Sequence, residues 1–241
     1  MIPKIIHQTY ASRRMPAVLA ANVEHIRATN PGWEHRFYDD EAAAAFIARH
    51  CGQKVLAAWR SIDPAYGAAR ADLFRYLLMY KVGGVYLDMK SSTALPLDSV
   101  LRADDALVLA HWPNRKGERF AGWGHHPGVM LARGELQQWH VICAPGHPFL
   151  KAVVQEVLRN IASYDPARHG VGRLGVLRVT GPIAYTRAIV HCREPAPHRV
   201  IDTHEELGLV YSVVDHHGRG AHATLFERHY ASQKHPIVLR A

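Results

Sequence analysis

Apolar and polar positions follow one another in short segments that predict alternating strands and helices. Lys4–Gln8 has the apolar centre of a short buried strand, and Trp33–Tyr38 alternates as a second strand would. Pro16–Ala28 carries apolar residues at helical spacing, and Asp39-Asp40 is suited to cap a helix that continues through Arg49. The chain therefore opens with two β-then-α units, which is typical of an α/β layered domain.

A long helix is predicted next, from about Ala65 to Val82. Gly83-Gly84 ends it, and the strand Val85–Leu87 follows and runs into Asp88. Further elements are predicted in chain order: strands at Ala106–Ala110 and Gly128–Ala132, a helix over Phe149–Ile161, a loop over Asp165–Arg178 and a helix that opens near Thr180, the candidate cap, with Pro182 in its first turn. His111–Pro127 is a polar loop, and its length is typical of functional loops. Without repeats or linkers, residues 1–241 are predicted to form a single domain with a largely parallel sheet.

The composition indicates the class of protein and its cellular compartment. Hydrophobic residues make up 48% of the chain, which suits a folded domain. We find neither an apolar window of the length of a membrane span nor an N-terminal secretory pattern, so we expect a cytoplasmic protein. Cys51, Cys143 and Cys192 lack the spacing of a disulfide framework or a zinc site, and we expect three idle thiols.

The formal net charge of +8 predicts attraction to anionic partners. The basic residues are scattered and are not interleaved with aromatic residues as in a nucleic-acid groove, so nucleic-acid binding is not expected. Gly170-x-Gly172-x-x-Gly175 matches a dinucleotide fingerprint as a string. No strand is predicted before it, and we therefore attach no cofactor to it.

The chemically richest segment surrounds the long helix. Asp72 and Arg75 lie three residues apart, on one face of the helix, and Asp88 follows the carboxyl end of a strand, where open α/β sheets bind ligands. One site could use all three side chains. The alternative is an ordinary surface ion pair and a carboxylate that caps a turn.

This segment resembles the DxD-motif glycosyltransferases, which include capsular polysaccharide transferases, yeast-type initiating α-1,6-mannosyltransferases and the large glucosylating toxins. In that family a helix with S/A-D-x-x-R precedes G-G-x-Y-x-D-x-D, and this chain keeps the pattern from Asp72 to Asp88, sixteen residues later. Further motifs fit in chain order: Ile2–Thr9, Asn30-Pro31-Gly32-Trp33, Asp39-Asp40 and Thr180-Gly181-Pro182. The likeness covers residues 1 to 95 well and the rest thinly.

The resemblance implies roles for individual residues. The strand that ends at Gln8-Thr9 would border the nucleotide base, Asp72 and Arg75 would hold the donor sugar, and Asp88 would contact the ribose or the sugar beside the diphosphate. A histidine-rich C-terminal stretch of the family often ends near the donor phosphates. By position, His229 and Ser232 are candidates for contact with the diphosphate or a metal, with a purely structural role as the alternative.

Lys90 departs from the family pattern, which has a second Asp here that usually ligates Mn²⁺ or Mg²⁺. A glycosyltransferase must neutralise the charge that develops on the leaving nucleoside diphosphate, and a metal, a Lys or an Arg can do so. Two interpretations follow. Either Lys90 partly or wholly replaces the metal, or Lys90 is a solvated lysine and Asp88 and a C-terminal group still bind the metal. The sequence leaves both interpretations open.

The resemblance implies an α/β fold of the GT-A type, a Rossmann-like mixed sheet flanked by helices. Residues 1–110 would bind a UDP- or GDP-sugar, and residues 111–241 would face a carbohydrate or lipid-linked glycan acceptor. We expect transfer with retention, in bacterial polysaccharide assembly, with peripheral contact to the inner face of the membrane. The alternative is a non-catalytic module that binds a sugar nucleotide or an anionic glycan. The sequence does not identify the acceptor, the linkage or the oligomeric state.

Overall fold

The computed structural model describes residues 1–214 and 230–239, in which helices pack against a mixed β-sheet. The strands are β1 (Ile5–Thr9), β2 (Glu34–Tyr38), β3 (Gly84–Leu87), β4 (Ser92–Thr93), β5 (Leu107–His111), β6 (His140–Cys143), β7 (Arg199–Thr203) and β8 (Leu209–Val210). The α-helices are α1 (Ala17–Thr29), α2 (Asp40–His50), α3 (Gln53–Ser61), α4 (Gly67–Val82), α5 (Leu97–Val100), α6 (Pro148–Ala162), α7 (Pro166–His169), α8 (Gly172–Val179) and α9 (Pro182–Val190). Short 3₁₀ helices cover Pro64–Tyr66, His204–Leu207 and Tyr230–Ser232.

The main sheet within the described residues has the strand order β2-β1-β3-β6-β5-β7. β1 runs parallel to both β2 and β3, whereas β6 runs antiparallel to both of its neighbours, β3 and β5. β7 is parallel to β5 at the edge of the sheet, and β4 pairs with β8 in a separate two-stranded sheet. The predicted α/β class with a mixed sheet is confirmed.

The opening units form where the pattern predicts them. The side chain of Asp39 accepts a hydrogen bond of 2.9 Å from the backbone N–H of Ala42, so it caps α2 as expected. Parallel pairing of β1 with β3 then brings Thr9 and Asp88 to the same edge of the sheet. This edge carries the site described below.

Helix α4 is buried on nearly all of its faces. From Leu73 to Met79 every side chain is buried. A helix that is enclosed in this way must pair any polar side chain that it carries, since an unpaired buried charge is strongly unfavourable. Asp72 and Arg75 lie in this helix and are 3% and 4% exposed, so an ordinary surface ion pair is excluded.

The glycine pair between α4 and β3 allows the chain to turn in a crowded place. Gly83 and Gly84 have φ values of 71° and 106°. A Cβ atom at Gly84 would lie 2.5 Å from the carbonyl oxygen of Ile5, and one at Gly83 would lie 2.7 Å from Pro145. Only glycine fits both requirements, and the turn delivers β3 between β1 and β6.

Two predicted elements are wrong. Gly128–Ala132 forms no strand but part of an irregular loop, in which Gly128 and Gly134 have positive φ. The strand of this region is β6, whose four consecutive buried residues show no alternation. Its antiparallel position is decided by the neighbouring strands.

The predicted loop at 165–178 contains two helices, α7 and α8; Asp165 caps α7, and Pro166 occupies its first turn. Gly172 and Gly175 lie in α8, which follows α7 and not a strand, so the dinucleotide fingerprint has no structural basis. Helix α9 is capped by Gly181 and not by Thr180.

The three cysteines are unpaired, as expected. No helix in residues 1–214 or 230–239 has the length and apolarity needed to cross a lipid bilayer.

Candidate active site

A cavity of about 870 Å³ opens beside α4 and the carboxyl ends of β1 and β3. Its size falls within the usual range for small-molecule sites, about 300–1,000 Å³. Five of the sequence-predicted site residues line it: Thr9, Asp72, Arg75, Asp88 and Lys90. The structure therefore brings together the helical pair, the carboxylate after β3 and the neighbouring ammonium group.

Arg75 links the two acidic side chains. Its Nη2 lies 3.1 Å from Asp72 Oδ1, and its Nη1 lies 3.0 Å from Asp88 Oδ1. The guanidinium also donates a hydrogen bond of 2.8 Å to the carbonyl oxygen of Gln138 and lies 4.7 Å from the centre of the Tyr86 ring. Arg75 is thus held on several sides and fixes Asp88 at the cavity, where the Asp88 side chain is 25% exposed.

The electrostatics of this group follow from burial and pairing. Burial by itself would lower the pKa of Arg75, but the nearby Asp88, Tyr86 and Asp72 outweigh burial and raise it. Burial raises the pKa of Asp72, although Arg75 and the Thr180 hydroxyl oppose the rise. The guanidinium therefore stays charged at every physiological pH and provides a permanent countercharge for Asp88.

The turn Thr180-Gly181-Pro182 supports Asp72 from the second half of the chain. Thr180 Oγ1 donates a hydrogen bond of 2.8 Å to Asp72 Oδ2, and the Tyr76 hydroxyl donates to the carbonyl oxygen of Thr180 at 3.0 Å. Sequence reasoning identified this turn but assigned Thr180 as a helix cap. Its contact with Asp72 spans 108 residues and could be found only in the folded chain.

Gln8 does not line the cavity. Its side chain is fully buried, where Nε2 donates to the carbonyl oxygen of Asp88 at 3.3 Å and Oε1 accepts from His35 Nε2 at 2.9 Å. The strand end at Gln8-Thr9 was predicted to border the nucleotide base; the Gln8 side chain instead points away from the cavity and contacts the backbone of Asp88, so the prediction is corrected for Gln8. Thr9, the next residue, lines the cavity and donates to the carbonyl oxygen of Tyr38.

Lys90 lies on the wall of the cavity. Its Nζ donates a hydrogen bond of 2.7 Å to the Tyr211 hydroxyl and lies 3.9 Å from the centre of that ring. Ser232 is exposed in the C-terminal 3₁₀ helix and is not among the residues that line the cavity. His229 lies outside the described residues.

The described side chains do not fit an Mn²⁺ or Mg²⁺ site. Both carboxylate oxygens of Asp72 are engaged, by Arg75 and by Thr180, and Oδ1 of Asp88 is engaged by Arg75. Hard divalent cations need several free oxygen ligands, whereas Lys90 brings a positive charge to the position of the second Asp. Residues 1–214 and 230–239 contain no group of three or more His, Cys, Asp or Glu side chains placed to hold a metal ion.

An aromatic wall borders the cavity on the side of Lys90, and sequence reasoning did not find it. Trp112, Trp123, Trp139 and Tyr211 all line the cavity and come from distant positions in the chain. The ring centre of Tyr211 lies 4.9 Å from that of Trp112, 5.5 Å from that of Trp139 and 6.1 Å from that of Trp123. The only indication in the sequence was the length of the predicted loop after β5, which is typical of functional loops.

Residues 16–107 match the family model described as "Glycosyltransferase sugar-binding region containing DXD motif". This range contains α4, the glycine pair, β3 and Lys90. The matched range therefore contains Asp72, Arg75 and Asp88.

Curated relatives come from yeasts. The inositol phosphoceramide mannosyltransferase 3 of Schizosaccharomyces pombe is 29% identical over 182 residues, which are 76% of this chain and 43% of that protein. The initiation-specific alpha-1,6-mannosyltransferase of the same organism is 25% identical over 201 residues, 78% of this chain and 48% of that protein. The chain thus spans less than half the length of these two relatives.

Solved structures share the fold at low sequence identity. The PaToxG glycosyltransferase has a TM-score of 0.56 at 13% identity, with 78% of this chain and 69% of that chain covered. The UDP-bound glycosyltransferase domain from the YGT toxin also has a TM-score of 0.56, at 8% identity, with 90% and 82% covered. These similarities confirm the GT-A-like fold. Over residues 16–107, the chain is therefore similar to the sugar-binding region of the DXD-motif glycosyltransferases.

Proposed function

We propose that this protein transfers a sugar from a nucleoside diphosphate sugar to a carbohydrate or lipid-linked glycan acceptor. The observation that carries the proposal is the bridge from Arg75 to Asp72 and Asp88 on the wall of a cavity that also presents Lys90. The two yeast relatives are named mannosyltransferases, and one structural neighbour is described as bound to UDP. GDP-mannose and UDP-sugars are accordingly the first donors to test.

The charges of the cavity suit a diphosphate donor. Transfer breaks the bond between the anomeric carbon and the phosphate oxygen, and the electron pair stays on the leaving diphosphate. The anomeric carbon forms a new bond to an acceptor hydroxyl oxygen, whose proton passes to the leaving diphosphate or to water. Lys90 supplies a positive charge for this oxygen. An ammonium about 4 Å from one phosphate charge contributes on the order of 4 kcal/mol at an effective dielectric constant near 20. Interaction of this size accelerates transfer when it strengthens in the transition state.

Asp88 contacts the donor beside the diphosphate, and Arg75 holds it there. Arg75 is almost fully buried, so we assign it and Asp72 to positioning Asp88 and the donor sugar and not to exchanging protons. Because the pKa of Arg75 is raised, its guanidinium keeps its positive charge at physiological pH. Lys90 takes the place of the metal in this scheme.

A panel of GDP-, UDP- and dTDP-sugars tests the proposed function. We expect at least one donor to raise the melting temperature, because a ligand that binds only the folded state stabilises it by mass action. We also expect slow nucleotide release, accelerated by an acceptor sugar. Binding without any release would show a non-catalytic binding module, and failure of every donor to bind would overturn the proposal.

Lys90 allows a sharper experiment. We expect nucleotide release to survive exhaustive chelation with EDTA, and Lys90→Ala to lower its rate by about tenfold or more, which corresponds to about 1.4 kcal/mol of transition-state stabilisation. Lys90→Asp restores the D-x-D motif and should make the remaining activity depend on added Mn²⁺. Lys151→Ala, at an exposed position of α6, is the matched control. Loss of wild-type activity on chelation alone would contradict the metal-free scheme.

Retention of the anomeric configuration, a role in bacterial polysaccharide assembly and contact with an anionic membrane extend the proposal. They rest on the family resemblance and on the net charge of +8. NMR of the product formed at short times distinguishes retention from inversion. Residues 1–241 would act as one unit, in which 1–110 bind the donor and 111–241 face the acceptor.

A further inference from the structure

The aromatic wall continues from the donor side of the cavity into the loop after β5. Lys90 Nζ contacts the Tyr211 hydroxyl, and Tyr211 packs edge-on against Trp112 and Trp123. Trp123 is half-buried and lines the cavity, so part of its ring is open to a ligand. The wall is therefore continuous with the proposed donor site.

A carboxylate behind this wall orients a histidine. Glu135 is 6% exposed, and it accepts hydrogen bonds from Trp112 Nε1 at 2.8 Å and from His126 Nε2 at 2.7 Å. A neutral His126 ring that donates this bond from Nε2 keeps its acceptor lone pair on Nδ1. In the described part of the chain, His126 Nδ1 has no hydrogen-bond partner, and His126 lines the cavity.

The loop that carries these side chains is built tightly. Asn114 Nδ2 donates to the carbonyl oxygens of Trp123 at 2.6 Å and of Arg133 at 3.1 Å. Gly124 and Gly134 cross so closely that a Cβ atom at Gly134 would lie 2.5 Å from the Gly124 carbonyl oxygen. Trp123 and His126 are therefore held in place before any ligand binds, which lowers the entropic cost of binding.

We propose that Trp123 and His126 form the acceptor subsite and that it takes an uncharged pyranoside. The electron-rich face of the indole attracts the C–H bonds on one face of a sugar ring. A hydroxyl of the same sugar donates to His126 Nδ1. Both oxygens of Glu135 are engaged, by Trp112 and by His126, so the subsite offers a ligand one ring face and one acceptor nitrogen, which suits a neutral sugar. This inference rests on the proposed function.

The subsite is tested with methyl α-mannopyranoside, methyl α-glucopyranoside and methyl β-galactopyranoside as acceptor probes and with the donor that binds best. Trp123→Ala and His126→Ala should each raise the KM for the acceptor by about tenfold, as expected for loss of one aromatic or hydrogen-bonding contact. In both variants, the rate of slow donor hydrolysis and the donor-induced rise in melting temperature should change less than the acceptor KM. Trp123→Phe keeps a ring and should have an intermediate KM, which guards against loss of the fold in Trp123→Ala.

Met130→Ala is the control, since Met130 lies in the same loop and is 94% exposed. An unchanged acceptor KM in Trp123→Ala and His126→Ala would overturn the subsite. It would also be overturned if none of the glycosides accelerated nucleotide release from a donor that the wild type slowly hydrolyses. If no donor binds at all, the proposed function itself fails.

Discussion

At the scale of single residues, the site contains buried polar side chains, and each of them needs the others as hydrogen-bond or ion-pair partners. Asp72 is 3% exposed and is tolerated there because Arg75 and Thr180 engage its two oxygens. A buried ion that loses one partner retains its full cost of desolvation. Stability and site geometry are therefore coupled at this position.

Thr180→Val tests this coupling. Valine has nearly the same shape but lacks the hydroxyl, so Asp72 Oδ2 loses its partner. We expect the free energy of unfolding to fall by about 1.5–3 kcal/mol, the range for hydrogen bonds to charged groups. Urea denaturation measures it, and Thr180→Ser, which keeps the hydroxyl, should lose less. Equal stability of Thr180→Val and the wild type would contradict the account.

At the scale of elements, the loop between β5 and β6 is shaped by glycines in the left-handed region. Gly124, Gly128 and Gly134 have φ values of 78°, 89° and 71°. Their surroundings differ: a Cβ at Gly128 would meet nothing within 4 Å, whereas Gly134 has the Gly124 carbonyl oxygen at 2.5 Å. Substitutions at Gly128 and Gly134 thus impose the same backbone strain, but only the one at Gly134 adds a steric clash.

Gly134→Ala should destabilise the protein more than Gly128→Ala. The left-handed conformation alone costs a non-glycine residue about 1–2 kcal/mol. Only Gly134→Ala must also push apart the two loop segments that cross at Gly124 and Gly134. We expect Gly134→Ala also to raise the acceptor KM, because Trp123 and His126 depend on this crossing. Urea denaturation and acceptor kinetics measure both effects, and equal behaviour of the two variants would show that the crossing is unimportant.

At the scale of the whole molecule, buried histidines make stability depend on pH. Burial lowers the pKa of His7 to about 4, of His140 to about 3 and of His204 to about 4, from an ordinary value of 6.5. As the pH falls below 6.5, these residues take up protons in the unfolded chain before they do so in the folded protein. Stability is therefore lost as the pH falls through the interval between about 6.5 and 4. Burial raises the pKa of Asp72, so that group acts in the opposite direction.

His140→Gln should flatten this dependence. Each such histidine contributes up to about 1.4 kcal/mol per pH unit between its two pKa values. We expect the slope of unfolding free energy against pH between 6 and 5, measured by urea denaturation, to be lower by roughly this amount in His140→Gln than in the wild type. An unchanged slope in His140→Gln would refute the assignment.

The sequence by itself determined the elements whose signals are local. Strands β1 to β3, helices α1, α2, α4 and α6 and the glycine pair follow from periodicity, capping residues and turn residues that act within a few positions. The spacing of Asp72, Arg75 and Asp88 was also readable, because a helix and a strand that are close in sequence meet across a short turn.

The tertiary structure decided what depends on distant partners. β6 is a short apolar segment that becomes a strand through pairing with β3 and β5, and α8 forms although its glycines suggested a loop. Thr180 reaches Asp72, Tyr211 reaches Lys90, and Glu135 orients His126 only after the chain has folded. Such contacts carry no local signal, since their free energy comes from groups that the sequence separates and that packing alone brings together.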